Sequence, residues 1–187
     1  MSAPVIPDEA VRRFTTEYVG TEDRLRLALE RGDGSIATLW LTRRLVRRLV
    51  VHIVKVIDTL PRLRGDGGAG GGGQVSQPSD NVQRRNQLEA LGKIEQQAPV
   101  LGGTLPDGLE SHLITALGVR MTKKAVLIDC KVDKEIVQTL PFSEAELRQW
   151  LGVLHLNFRK AEWVEDIWPK WITAKGWDQG PDALRLN

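Results

Sequence analysis

Residues 25–60 read LRLALERGDGSIATLWLTRRLVRRLVVHIVKVIDTL, and within that run the hydrophobic period changes once. Leu25, Leu27 and Leu29 alternate with Arg24, Arg26 and Glu30. A period of two predicts a half-buried strand. Arg31-Gly32-Asp33-Gly34 is rich in residues that tolerate positive φ and predicts a tight hairpin turn. Ile36, Thr38 and Trp40 then alternate in a second strand, and after Thr42 the apolar step lengthens. Leu45, Leu49, Ile53, Val56 and Leu60 recur at three- and four-residue steps, with Val46, Val50 and Ile57 widening the stripe. That spacing predicts an amphipathic helix. Thr42 is placed to cap it, and Pro61 is expected to end it.

A similar order returns near the other end. Leu117, Val119 and Met121 suggest a strand, Thr122-Lys123-Lys124 a turn, and Ala125 to Val132 a strand with Val126, Ile128 and Cys130 on one face. Val132-Asp133-Lys134 is a further turn and Glu135 to Leu140 a further strand. Ser143-Glu144-Ala145-Glu146 is a capping box, with Phe142 and Leu147 placed for a hydrophobic staple. The helix it opens buries Leu147, Trp150, Leu151, Leu154 and Phe158. The expected fold is α+β: an antiparallel sheet with two long helices packed on it. It is built from two strand-turn-strand-helix units joined by a glycine-rich insertion. The two units match in pattern and not in residue identity.

The remaining segments are less regular. Residues 11–20 are a weak strand or extended lead, and residues 104–112 a loop or the start of a short helix at Pro106. Glycine dominates residues 65–80, which are expected to be flexible. This is no phosphate loop, because no strand precedes it and no lysine closes it. Residues 81–97 predict a modest helix with Val82, Leu88, Leu91 and Ile94 as its apolar face. The expected organisation is an N-terminal unit over 1–64, the insertion over 65–80, a short helix and linker over 81–111, and a C-terminal unit over 112–187.

Composition narrows the function classes. The 187 residues carry a formal charge of +2, with an ordinary balance of apolar and charged residues that predicts a soluble protein. The single cysteine, Cys130, precludes an intramolecular disulfide. No signal peptide is read after Met1, and Arg47, Arg48, His52, Lys55 and Asp58 interrupt the apolar run from Leu45 to Leu60. A cytoplasmic protein without a membrane span is expected. His52, His112 and His155 stand singly, and no nucleophile elbow, dinucleotide fingerprint or zinc motif occurs. Glu110-Ser111-His112 brings triad residue types together, but sequence neighbours do not orient one another as a triad requires. Asp129, Asp133 and Glu135 are interleaved with Lys131 and Lys134, which favours a salt-bridged edge over a cation site. No cofactor or metal is expected, and an enzyme is the class the sequence supports least.

What remains is charge and aromatic content. Between Trp40 and Gly65 stand Arg43, Arg44, Arg47, Arg48, Lys55, Arg62 and Arg64 against Asp58 alone. Arginines in a helix's first turn face the wrong end of its dipole, at roughly a few tenths of a kcal/mol each. Either an outside anion or a neighbouring carboxylate is expected to hold them, or the face is one of solvated arginines. The functional expectation is a non-enzymatic binding module whose basic helix contacts DNA or RNA. The alternative is a protein-protein adaptor or assembly subunit, homo-oligomeric or with another chain, that uses Trp163, Trp168 and Trp171.

Overall fold

The computed structural model describes residues 10–63, 79–93, 100 and 109–173. Arg64 and the glycine-rich stretch to residue 78 lie outside them. Strand β1 (Val11–Val19) leads into β2 (Arg24–Arg31), β3 (Ile36–Thr42) and helix α1 (Arg43–Leu63). Helix α2 (Asp80–Gly92) precedes β4 (Glu110–Leu113), β5 (Ala116–Met121), β6 (Val126–Val132) and β7 (Glu135–Phe142). Helix α3 (Glu144–Lys160) and the short α4 (Lys170–Thr173) complete a mixed α+β fold.

There are two sheets, and only the second is purely antiparallel. β1, β2 and β3 pair antiparallel in that order, and β4 then joins β3 in parallel. β5, β6 and β7 form an antiparallel meander. The first sheet thus corrects the expectation of antiparallel pairing throughout. The short strand Glu110–Leu113 replaces the expected loop. Its residues show no apolar alternation of their own, so its strand character comes from the β3 edge on which it lies.

The chain passes directly from one sheet to the other. Ile114 donates its amide to the Trp40 carbonyl (3.0 Å), and Thr115 donates to the Lys131 carbonyl (2.9 Å). Successive amides of an extended chain point to opposite sides, so β4 and β5 behave as one strand serving two partners. At the far edges Phe14 of β1 meets Phe142 of β7 edge-to-face at 5.8 Å, and Trp150 stacks on Phe142 at 5.0 Å. The Trp150 indole N–H donates to Thr16 Oγ1 on β1 (3.0 Å).

Helices α1 and α3 pack on each other, α1 against β3 and β5 and α3 against β1 and β7. The core lies where these four surfaces meet. Leu25, Leu27, Leu29, Leu39, Ile53, Ile57, Ile128, Leu151 and Leu154 are all fully buried there. At the N-terminus of α3, Ser143 Oγ accepts from the Glu146 amide while the Glu146 carboxylate accepts from the Ser143 amide, completing the capping box. Thr42 Oγ1 accepts from the Leu45 amide (3.3 Å) at the start of α1.

Three local expectations are corrected. First, β2 is buried on both faces, because Arg26 and Ala28 are covered as well as the leucines. As an inner strand it is flanked on both sides, and on its outer face Arg26 pairs with Glu17 of β1. Second, α1 runs through Pro61 to Leu63. A proline in the last turn removes only its own amide bond to the preceding turn. Third, α2 turns Gln83, Gln87 and Ala90 inward and leaves Val82 and Leu88 exposed. Its inner surface meets Arg148 of α3, which is fully buried and calls for polar partners. Gln83 Oε1 accepts from Arg148 Nη2 (2.7 Å), and Gln87 Nε2 donates to the Arg148 carbonyl (2.8 Å). Among the described residues, no helix is long and apolar enough to cross a membrane.

Candidate functional site

With Val46, Leu49, Val50, Ile53, Val56 and Ile57 packed inward, α1 presents its basic residues outward in two rows. Arg43 and Arg47, one turn apart, lean towards the segment that follows α3. Arg43 Nε donates to Glu165 Oε1 (3.0 Å) and Arg47 Nε donates to Glu165 Oε2 (2.9 Å). Arg43 Nη2 also donates to the Val164 carbonyl (3.2 Å), and its guanidinium lies 5.9 Å from the centre of the Trp163 ring. Burial pushes the Glu165 carboxyl up, the two guanidiniums outweigh it, and the net shift is downward. This is a neighbouring carboxylate of the kind expected at the first turn of α1, which has no acidic residue of its own.

Arg44, Arg48, His52 and Lys55 form the second row, at steps of four, four and three residues, and all are exposed. Among the described residues Arg44, Arg48 and Lys55 have no hydrogen bond or ion pair. From Arg44 to Lys55 the row spans about 16 Å at the helical rise. The side chain of Arg62, like all of Arg64, lies outside the described residues. The structure therefore divides the basic set: Arg43 and Arg47 are clamped, while Arg44, Arg48 and Lys55 are open to solvent.

The tail tryptophans fold back on the chain. Trp163 is buried, its indole N–H donates to Asp23 (3.0 Å), and its ring meets Tyr18 and Phe158 edge-on at 5.5 and 5.2 Å. Trp168, half-buried, packs against His155 at 4.8 Å and Phe158 at 5.2 Å. Trp171 is buried beneath the Arg148 guanidinium.

Other polar clusters close the fold. Glu110 and His112 share the inner face of β4, with His112 Nε2 2.9 Å from Glu110 Oε1. Ser111 points to the other face, where its Oγ accepts from the Trp40 indole (3.0 Å). Strand alternation thus separates the serine from the histidine, and the three residues do not assemble as a triad. Arg31 grips both Glu110 oxygens (2.6 and 3.0 Å) and donates to Gln138 of β7 (3.2 Å). Bonds from Arg31 first and His112 second bring the Glu110 carboxyl down to about 2. Asp129 is buried under Arg120 and accepts from Thr139 (2.7 Å), so its partner is an arginine on β5. Among the described residues no group of three His, Cys, Asp or Glu is placed to hold a metal ion. Cys130 is buried, and its thiol is pushed up to about 12 by desolvation.

Sequence reasoning did not single out Glu165. Its signal is thin: it is one of several acids in the tryptophan-rich tail, more than a hundred residues from the arginines it holds. No family model matches the chain, and no curated protein or solved structure does either.

Proposed function

We propose that the protein is a non-enzymatic, cytoplasmic binding module whose helix α1 contacts the phosphate backbone of DNA or RNA. The observation that carries this reading is the unpaired row of Arg44, Arg48 and Lys55. Several arginines elsewhere are paired: Arg13 with Glu30, Arg26 with Glu17, Arg31 with Glu110, Arg120 with Asp129 and Arg148 with Glu144. Beside those pairs, the distinguishing feature of Arg44, Arg48 and Lys55 is that they line up on one helix face without a carboxylate partner among the described residues. A flexible cationic row on one helix face suits a regularly charged polymer, and guanidinium suits phosphate in particular. We also infer that β2–β3–α1 and β6–β7–α3 are two strand-turn-strand-helix units of one design, joined through the glycine-rich insertion. In each, a hairpin runs straight into a helix whose first turn is capped by a hydroxyl, from Thr42 or Ser143.

The test is fluorescence anisotropy with single- and double-stranded DNA and RNA at two salt concentrations. Three phosphate contacts give a slope of log K against log salt of about −2 for a single strand and about −2.7 for a duplex. Arg44→Ala/Arg48→Ala/Lys55→Ala is expected to abolish most of that slope. Absence of binding at low salt, or binding indifferent to the triple substitution, overturns the proposal.

A further inference from the structure

We propose that Arg43 and Arg47 form a phosphate subsite which the chain's own Glu165 occupies in the free protein and which a ligand phosphate takes over on binding. The inference rests on the functional reading above and deepens it.

The geometry that supports it is convergent. Two guanidiniums on successive turns of α1 each direct an Nε–H at a different oxygen of one carboxylate. Carboxylate and phosphate offer a guanidinium the same pair of acceptor oxygens, so what holds one holds the other. A single carboxylate leaves this pair undercompensated, and Arg44 and Arg48 on the same two turns have no partner among the described residues. The first turn of α1 supplies no acid, and its dipole favours an anion there.

The Arg43 half of the subsite does not depend on its occupant. Arg43 is held independently by the Val164 carbonyl and by the Trp163 ring. Trp163 is itself fixed by Asp23, Tyr18 and Phe158. Glu165 lies between anchors, with Trp163 on one side and Trp168 on the other, while Val164 and Asp166 are exposed. With the backbone held at both anchors, rotation of the Glu165 side chain is the movement the proposal requires. Arg43 and Arg47 are 44% and 53% exposed, so solvent screens the arginine side of both ion pairs, while the Glu165 side chain between them is 15% exposed.

Removing the occupant should therefore strengthen ligand binding, the reverse of what loss of a purely structural ion pair would do. Glu165→Gln is compared with Asp166→Asn, which makes the same charge change at an exposed neighbour that has no hydrogen bond or ion pair among the described residues. Thermal unfolding in increasing inorganic pyrophosphate is the first measurement. Stabilisation is expected in Glu165→Gln beyond that of wild type and Asp166→Asn, and its loss is expected when Arg43→Ala and Arg47→Ala are added. An equal response in Glu165→Gln and Asp166→Asn overturns the subsite. The second measurement is oligonucleotide anisotropy. Here Glu165→Gln is expected to bind about three- to tenfold tighter than wild type, the scale of two partly screened ion pairs no longer broken on binding. If wild type binds through Arg44 and Arg48 but Glu165→Gln matches Asp166→Asn, the subsite falls and the functional reading stands. If no variant binds oligonucleotide while Glu165→Gln alone responds to pyrophosphate, the nucleic-acid reading falls and the subsite stands.

Discussion

Glu110 shows how much one carboxylate is asked to do at the open end of the core. It receives Arg31 from β2 and His112 from its own strand, and through Arg31 it is linked to Gln138 of β7. Its folded pKa of about 2 lies below the ordinary 4.5, so the cluster stabilises the fold above the ordinary value. That stability is lost as the pH falls through 4.5 towards about 2. The carboxylate is 42% exposed, and solvent screening reduces the contribution well below what the shift alone would give. Glu110→Gln is expected to be less stable than wild type at neutral pH and to lose less on acidification, measured by denaturant unfolding across that range. Coincident pH profiles would show that the cluster contributes nothing. The partners of such residues were not readable from the sequence. Sequence neighbours do not orient one another, which alone argues against the triad, and the placement of Ser111 and His112 on opposite faces comes only with the strand. The partners Arg31 and Glu165 lie 79 and 118–122 residues away from Glu110 and from the clamped arginines, and no local pattern encodes that separation.

At the scale of elements, α2 and α3 differ in how they are specified. Helix α3 carries its own start signal, in which Ser143 and Glu146 cap each other, so its beginning was legible without any knowledge of the fold. Helix α2 carries no such instruction. Its apolar residues are too sparse to choose a face, and the choice is made by Arg148, a buried cation that requires hydrogen-bonding neighbours. Asp58 accepts from Gln83 Nε2 (2.9 Å), and the Ala90 carbonyl accepts from Gln149 Nε2 (2.8 Å), so α2 is tied to both long helices by polar contacts. Burial lowers the Arg148 pKa, against the opposing pull of Glu144. Arg148→Ala leaves Glu144 and Gln83 without that partner and is expected to cost about 3–5 kcal/mol, as breaking a buried pair does. Hydrogen exchange should show residues 80–92 losing protection before the sheets do. Unchanged exchange across α2 would mean that its position is set by something other than this network.

Across the whole molecule, two sheets are united by a shared strand on one side and an aromatic cluster on the other. Phe142 belongs to β7 and is 3% exposed, yet its ring lies between Phe14 of the other sheet and Trp150 of α3. Phe142→Ala is expected to destabilise by about 3–5 kcal/mol. The loss should appear as one cooperative transition in which amides of both sheets are released together, and separate transitions would show the sheets to be independent. The strand and helix content of this architecture was largely present in the hydrophobic periods of residues 25–60 and 113–160. The parallel contact of β3 with β4 was not, because Glu110–Leu113 becomes a strand only against its partner. That junction has a further consequence. Between Leu113 and Ala116 the hydrogen bonds change sides in two consecutive residues, from the Trp40 carbonyl to the Lys131 carbonyl. One added or deleted residue there would slide β4 along β3 or β5 along β6, and a shift of one position turns every inward side chain outward. A stretch that reads like an ordinary connection is thus the ruler against which both sheets are measured, and it is its length, more than its chemistry, that the molecule has to keep.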